Sequence, residues 1–164
     1  MKCPDCGAEN IAGEDHCAGC SAPLSELSGP RPEPGLRAKI LAGTIADLGP
    51  SPALTIEPDA SVTGAVRMMR EHRIGCALVV SRGALTGILT ERDLLLGIAG
   101  RESPEKTAVR AVMHGEPVCL SHRDPVSHAF HHMAVGGYRH LPVSLPDGTF
   151  GVVSSRDLLR YLGS

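Results

Sequence analysis

Four of the six cysteines lie in the first 20 residues, as Cys3-Pro4-Asp5-Cys6-Gly7 and Cys17-Ala18-Gly19-Cys20. Two C-x-x-C pairs with ten residues between them have the ligand spacing of a tetrahedral structural zinc site, because each pair wraps two thiolates around one side of the metal. Gly7 and Gly19 offer the positive φ angles that such tight turns often need. The segment is too small and polar to fold on a core of its own. Metal binding would supply its folding energy, about 10–16 kcal/mol in zinc-finger peptides. Two disulfides are the competing arrangement, and a reducing cytoplasm disfavours them. His16 stands beside Cys17 but is not needed as a ligand when four thiols are present. Residues 1–22 hold one Lys, no Arg and no aromatic residue, against Asp5, Glu9, Glu14 and Asp15. That is poor chemistry for a phosphate backbone or for base stacking, so the expected role is docking to a protein partner, or structure alone.

A second set of chemically capable groups occurs twice. Thr90-Glu91-Arg92-Asp93 and Ser154-Ser155-Arg156-Asp157 each place a hydroxyl three residues before a carboxylate, directly after Gly87-Ile88-Leu89 and Gly151-Val152-Val153. At a strand-to-helix junction the hydroxyl caps the helix, and first-turn amides are left for an anion. The carboxylate of Asp93 or Asp157 suits the paired hydroxyls of a ribose. Taken singly, each motif reads first as a capping box that serves only its helix. The duplication favours a ligand-binding role for at least one copy.

These groups must be held by a repeated unit. Residues 44–99 and 108–163 align 64 positions apart without a gap, and Val62, Ala65, Met69 and Val79 recur as Val126, Ala129, Met133 and Val143. One half-unit rarely buries its own apolar face, whereas two together can. The first copy predicts a strand over 53–56, a helix from Ser61 with Val62, Ala65, Val66 and Met69 on one face, strands over 76–80 and 85–89, and a helix over 91–98. The second predicts a strand over 118–120, a helix over 125–135, strands over 141–144 and 149–153, and a helix over 156–162. Cys76 and Cys119 fall in predicted strands and read as small buried apolar residues. Strand–helix–strand–strand–helix, twice, predicts an α+β fold with helices covering the sheets.

The rest of the chain sets limits. Its 164 residues allow one core-forming domain and a small appendage, and with no Trp, two Tyr and two Phe the core must be aliphatic. Residues 21–35 are rich in Pro, Ser and Gly and read as a linker, followed by a short helical pattern over 36–41. The expected organisation is a ribbon over 1–22, linker and short helix over 23–43, and repeats over 44–100 and 107–164. A net charge of −2 gives no bulk reason to bind nucleic acid or an anionic membrane. No run approaches a membrane span and the N-terminus does not read as a signal sequence, so a soluble cytoplasmic protein is expected. No Ser–His–Asp order, open metal site or Gly-rich phosphate loop supports an enzyme.

The order of elements, the run Tyr138-Arg139-His140-Leu141-Pro142-Val143 and the two closing runs resemble tandem CBS domains (the cystathionine β-synthase type) paired as a Bateman module, over residues 44–163. Residues 1–22 resemble minimal zinc ribbons. The resemblance implies a non-catalytic regulatory module that binds an adenosine-containing ligand such as AMP, ADP or ATP between the repeats, and a homodimer acting on an unidentified protein partner. It also implies that Arg139 and His140 reach ligand phosphates and serve the cleft of Asp93. Gly75 and Cys76, at the matching positions, leave the Asp157 cleft less charged, with weaker binding, a less charged nucleoside or no ligand. Family hydroxyls before the first strand are replaced by Pro50 and His114, which shifts adenine recognition to backbone groups near Ala53 and Pro117. Two other readings stand beside this one: a ribbon adaptor contacting nucleic acid or the transcription apparatus, and a ligand-free dimerisation scaffold. His128, His131 and His132 share a predicted helix. His128 and His132 are spaced to chelate, but with no carboxylate nearby they are expected on a solvated or dimer-facing side.

Overall fold

The computed structural model describes residues 2–3, 5–11, 14–22, 24, 34–98 and 103–163. They form two compact units, Met1–Ala38 and Lys39–Ser164. Residues 23 and 25–33 of the expected linker lie outside the described residues. The helical pattern over 36–41 falls within α1 (Pro34–Ala42). Among the described residues no helix is long and apolar enough to cross a membrane.

In the second unit the repeat produces two four-stranded sheets. β2 (Thr55–Ile56), β3 (Cys76–Ser81), β4 (Ala84–Thr90) and β5 (His114–Gly115) form one, in that order. β1 (Ser51–Pro52), β8 (Phe150–Ser154), β7 (His140–Ser144) and β6 (Leu120–Ser121) form the other. β2 runs parallel to β3 and β6 to β7, while the other neighbours are antiparallel. α2 (Val62–His72) and α3 (Glu91–Ile98) come from the first repeat, α4 (Val126–Ala134) and α5 (Ser155–Gly163) from the second. Alternation along the strands sorts the side chains. Ala77, Val79 and Leu89 join Val62, Ala65 and Met69 of α2 in one core. Cys76, Leu78 and Ile88, from the opposite face, meet Phe150 and Val152 of the other sheet. A strand buried on both faces needs a continuous apolar run, as 76–80 has.

The repeats exchange their leading segments. Ile45 and Leu48 are buried in the core of the second repeat, beside Val126, Leu141 and Val153. Val109, the residue matching Ile45, is buried in the core of the first. The backbone follows the same rule. Ile45 N–H donates to the Asp124 carbonyl at 2.8 Å and Val126 N–H to Gly43 at 2.9 Å, while Val109 N–H donates to Ala60 and Val62 N–H to Thr107, both at 2.9 Å. Each segment runs on as the outer strand of the sheet it has joined: β1 pairs with β8, and β5 with β4.

This crossing explains where the strands differ from expectation. The apolar run 53–56 reads as one strand, but the chain leaves one sheet after Pro52 and enters the other at Thr55. In the second copy Val118 and Cys119 occupy the crossing, so the strand is Leu120–Ser121 and Cys119 is exposed rather than buried. Cys76 is buried as expected, and that burial pushes its thiol up to about 12, with the Glu91 carboxylate adding to the effect.

Ile45→Ala tests the exchange, because it empties a site in the core of the other repeat. Destabilisation of about 2–5 kcal/mol is expected in urea unfolding, with amide hydrogen exchange accelerating in β7 before β3. Acceleration confined to β3 and α2 would contradict the exchange.

Candidate functional site

In the first unit the two cysteine pairs sit on matching backbone loops. Cys3 N–H donates to the Ala8 carbonyl and Gly7 N–H to Cys3, both at 2.9 Å; Cys17 N–H donates to Ala22 and Ser21 N–H to Cys17, both at 2.8 Å. The left-handed positions are Gly7 (φ 75°) and Ser21 (φ 60°), not Gly19. Gly19 serves by closeness instead: its N–H donates to Cys17 Sγ at 3.3 Å, and a Cβ there would stand 3.0 Å from Ala8 Cβ. The four Sγ atoms lie within 4.8 Å of one another. Cys3–Cys20 and Cys6–Cys17 separations are 3.7 and 3.6 Å. Tetrahedral zinc with bonds of ~2.3 Å sets its ligand sulfurs ~3.8 Å apart, whereas a disulfide needs ~2 Å. The thiols are free and fit a metal. The Cys20 N–H, above all, draws the Cys17 thiol down to about 6; burial opposes this, and Gly19 N–H and the Asn10 amide reinforce it. A Cys17 thiolate is therefore at hand near neutral pH. His16 is exposed and outside the four-thiol group.

In the second unit both hydroxyl–carboxylate motifs form caps. Asp93 Oδ2 accepts from Thr90 N–H at 2.9 Å and from its hydroxyl at 2.5 Å, and Asp93 N–H donates back to Thr90 Oγ1 at 3.3 Å. Asp157 Oδ2 accepts from Ser154 N–H at 2.8 Å and from its hydroxyl at 2.6 Å. The pair then diverges. Asp157 Oδ1 is taken by Arg160 Nη1 at 3.1 Å, while Asp93 Oδ1 has no hydrogen-bond partner among the described residues.

Asp93 and Thr90 line a cavity of about 520 Å³ together with His114, Tyr138, Arg139 and His140 of the second repeat. The expected companions of Asp93 are thus brought together. Pro117 borders a crevice of about 20 Å³ that shares Ile88, His114, Tyr138 and His140 with this cavity. Ala53 is elsewhere: its N–H donates to the Phe150 carbonyl at 3.1 Å and it packs between the sheets. The His140 ring lies over Gly75, where an added Cβ would come within 3.3 Å of it. Burial, chiefly, pushes this imidazole below its usual range; Glu91 opposes the shift, and Arg156 and Arg139 add to it. Burial thus disfavours the charged form of His140, which suits a hydrogen-bonding role.

A second cavity, of about 660 Å³, shares Arg139, His140, Gly75 and Glu91 with the first and adds Arg70, Arg73, Ser154 and Arg156. Asp157 does not line it. Sequence reasoning missed Arg70 and Arg73, since cations near a helix C-terminus read as complements to its dipole. A trace of the signal was present: Arg73 matches Gly137, and both residues are left-handed (φ 54° and 68°). His128 and His131 are exposed on α4, while His132 is half-buried.

A family model for the CBS domain matches residues 45–100 and 109–164. The uncharacterized 17.7 kDa protein in the bps2 3′ region of Acidianus ambivalens is 28% identical over 124 residues, 74% of either chain. The CBS domain pair of protein MJ0100, crystallised with 5′-methylthioadenosine and S-adenosyl-L-methionine, gives a TM-score of 0.65 at 24% identity, covering 74% of this chain and 96% of that one. CBSX2 in complex with AMP gives 0.61 at 20% identity, covering 71% and 93%.

The thiol geometry leads to a metal measurement. Cobalt(II) added to the reduced full-length chain should give thiolate charge-transfer bands and the d–d bands of a tetrahedral ion, at one equivalent, displaced by zinc. Cys17→Ser should weaken zinc retention by at least about tenfold. Absence of these bands, with disulfides found by mass mapping, would contradict a tetrathiolate site.

Proposed function

We propose, since this chain belongs to the CBS domain family and its two repeats form one Bateman module, that it is a non-catalytic regulatory protein that binds an adenosine-containing ligand. The observation that carries this reading is the cavity in which Asp93 and Thr90 of one repeat face Arg139 and His140 of the other. Its volume is in the range of small-molecule sites, about 300–1,000 Å³. The free Oδ1 of Asp93 accepts from the ribose hydroxyls, while Oδ2 stays in the cap. Arg139 meets a phosphate with a planar pair of donors. His140 supplies a further hydrogen bond, and the adenine lies toward Pro117, His114 and Tyr138. The ligands held by MJ0100 and CBSX2 are adenosine compounds of this class. The Asp157 motif is the weaker candidate for a nucleoside, because Arg160 occupies the oxygen a ribose would need.

Regulation follows from composition by both repeats. A ligand held by residues of both favours the arrangement in which they meet, to the extent that it binds that arrangement better. Leu95 and Leu159 are equivalent positions in the two repeats, 76% and 69% exposed. Matched exposed leucines favour a homodimer. The ribbon of residues 1–22 serves as a docking element for a protein partner, its fold stabilised by zinc, in the reducing cytoplasm.

Calorimetry on the full-length chain with AMP, ATP, S-adenosylmethionine and adenosine tests the site. Asp93→Asn should weaken every adenosine ligand by about tenfold or more, the worth of one to two charge-assisted hydrogen bonds. Arg139→Ala should weaken AMP and ATP but spare adenosine. Unchanged affinity in both variants, with thermal melting showing that they fold, would overturn the assignment.

A further inference from the structure

Asn10 is the one buried polar side chain among the described residues. It stands between the two cysteine loops of the first unit. Its Oδ1 accepts from the Ala18 N–H at 2.9 Å, and its Nδ2 donates to the Ala8 carbonyl at 2.9 Å and to Cys17 Sγ at 3.5 Å. The partners fix which way the carboxamide faces, because a backbone N–H only donates and a carbonyl only accepts. With the oxygen on Ala18 and one amide hydrogen on Ala8, the second hydrogen is left for the sulfur. Some hydrogen bonds cross from the loop of Cys3 and Cys6 to the loop of Cys17 and Cys20. Among the described residues, thiol–thiol contacts aside, they are those of Asn10. Cys17 Sγ also receives the Gly19 N–H at 3.3 Å. A sulfur packed beside Leu24, Ala8 and Ala22 needs such donors if it is to carry charge.

We propose that Asn10 is the positioning residue of the four-thiol centre, tying the two loops together and holding Cys17 for the metal through its N–H···S bond. The proposal rests on the tetrathiolate reading of Cys3, Cys6, Cys17 and Cys20. Groups that orient metal ligands from behind change affinity by about 10–100-fold when they are lost. A side chain of the same shape does not substitute. Aspartate keeps an acceptor for Ala18 but turns an oxygen toward the Ala8 carbonyl and the Cys17 sulfur, where its charge has the sign of the thiolate. Alanine removes all three bonds.

The test compares wild type, Asn10→Asp, Asn10→Ala and Glu9→Gln, each as the reduced full-length chain. Glu9 is an exposed neighbour outside these contacts. Two quantities are measured: zinc affinity in competition with a chromophoric chelator, and the energy of the thiolate-to-cobalt charge-transfer band. Both Asn10 variants should bind zinc at least about tenfold more weakly than wild type, and Glu9→Gln equally well. In Asn10→Asp the band should also move to lower energy, because a sulfur lone pair without its N–H donor gives up an electron more readily. Failure of Asn10→Asp to hold cobalt at all, with melting of the repeats unchanged, is the limit of the same result, since that variant keeps the shape and the bond to Ala18. Weaker zinc with an unmoved band would leave Asn10 a tie between loops with no hold on Cys17. Equal affinities and bands in all four chains would leave it no role at the metal. Either outcome overturns the proposal. A wild type without tetrahedral cobalt bands overturns the tetrathiolate reading itself, and this proposal with it.

Discussion

Reciprocal exchange of the two leading segments is the constraint on which the rest of this structure depends. Neither repeat contains a complete core in its own sequence: the first lacks Val109 and the second lacks Ile45 until each is supplied by the other. A unit of fewer than 60 residues is marginal on burial alone, so the trade makes folding of the two halves one event. The exchanged chain continues along the sheet it has entered and leaves two-residue outer strands, short enough to be poor templates for further pairing. It also carries His114 of the second repeat to Ile88 of the first, two residues from Thr90. The Asp93 cavity is composite because the core is composite.

Symmetry in the backbone is not symmetry in the chemistry. The 64-residue offset equates Asp93 with Asp157 and Arg92 with Arg156, but it also equates Gly75 with Arg139, Cys76 with His140 and Arg73 with Gly137. The cations are complementary between copies, and the small residues of one make room for the large residues of the other, as Gly75 does beneath His140. One scaffold thereby yields two unlike spaces. One has the spare Oδ1 of Asp93; the other is lined by Arg70, Arg73, Arg139 and Arg156, while Asp157, the counterpart of Asp93, lies off its wall and is engaged by Arg160. The exchanged strands break symmetry too. Ser51 pairs with Val152, so the offset would pair Gly115 with Ile88, yet His114 holds that place.

What could be read from the sequence was whatever is local or repeats. The helix faces at Val62, Ala65 and Met69, the caps at Thr90 and Ser154, and the thiol spacing all follow from periods of a few residues. The exchange could not be read, because Ile45 and Val109 are equivalent apolar positions and either core accepts either residue. The strand over 53–56 failed for the same reason: apolar content does not reveal that the chain changes sheets midway. Placing the left-handed turn at Gly19 rather than Ser21 reflects the weight given to glycine, whereas the hydrogen bonds fix the turn after the second cysteine of the pair. Arg70 and Arg73 gain meaning only when Arg139 and Arg156, 66 to 86 residues later, arrive on the same wall.

Arg139 and His140 line both cavities, and this fixes how the two spaces can influence each other. A guanidinium group bonds bidentately to one phosphate at a time. On the proposed nucleotide reading, a phosphate that engaged Arg139 from one cavity would withhold it from the other, and the effect would be reciprocal by linkage. Such coupling would need no rearrangement of the sheets, because a single side chain on a shared wall is enough to carry it.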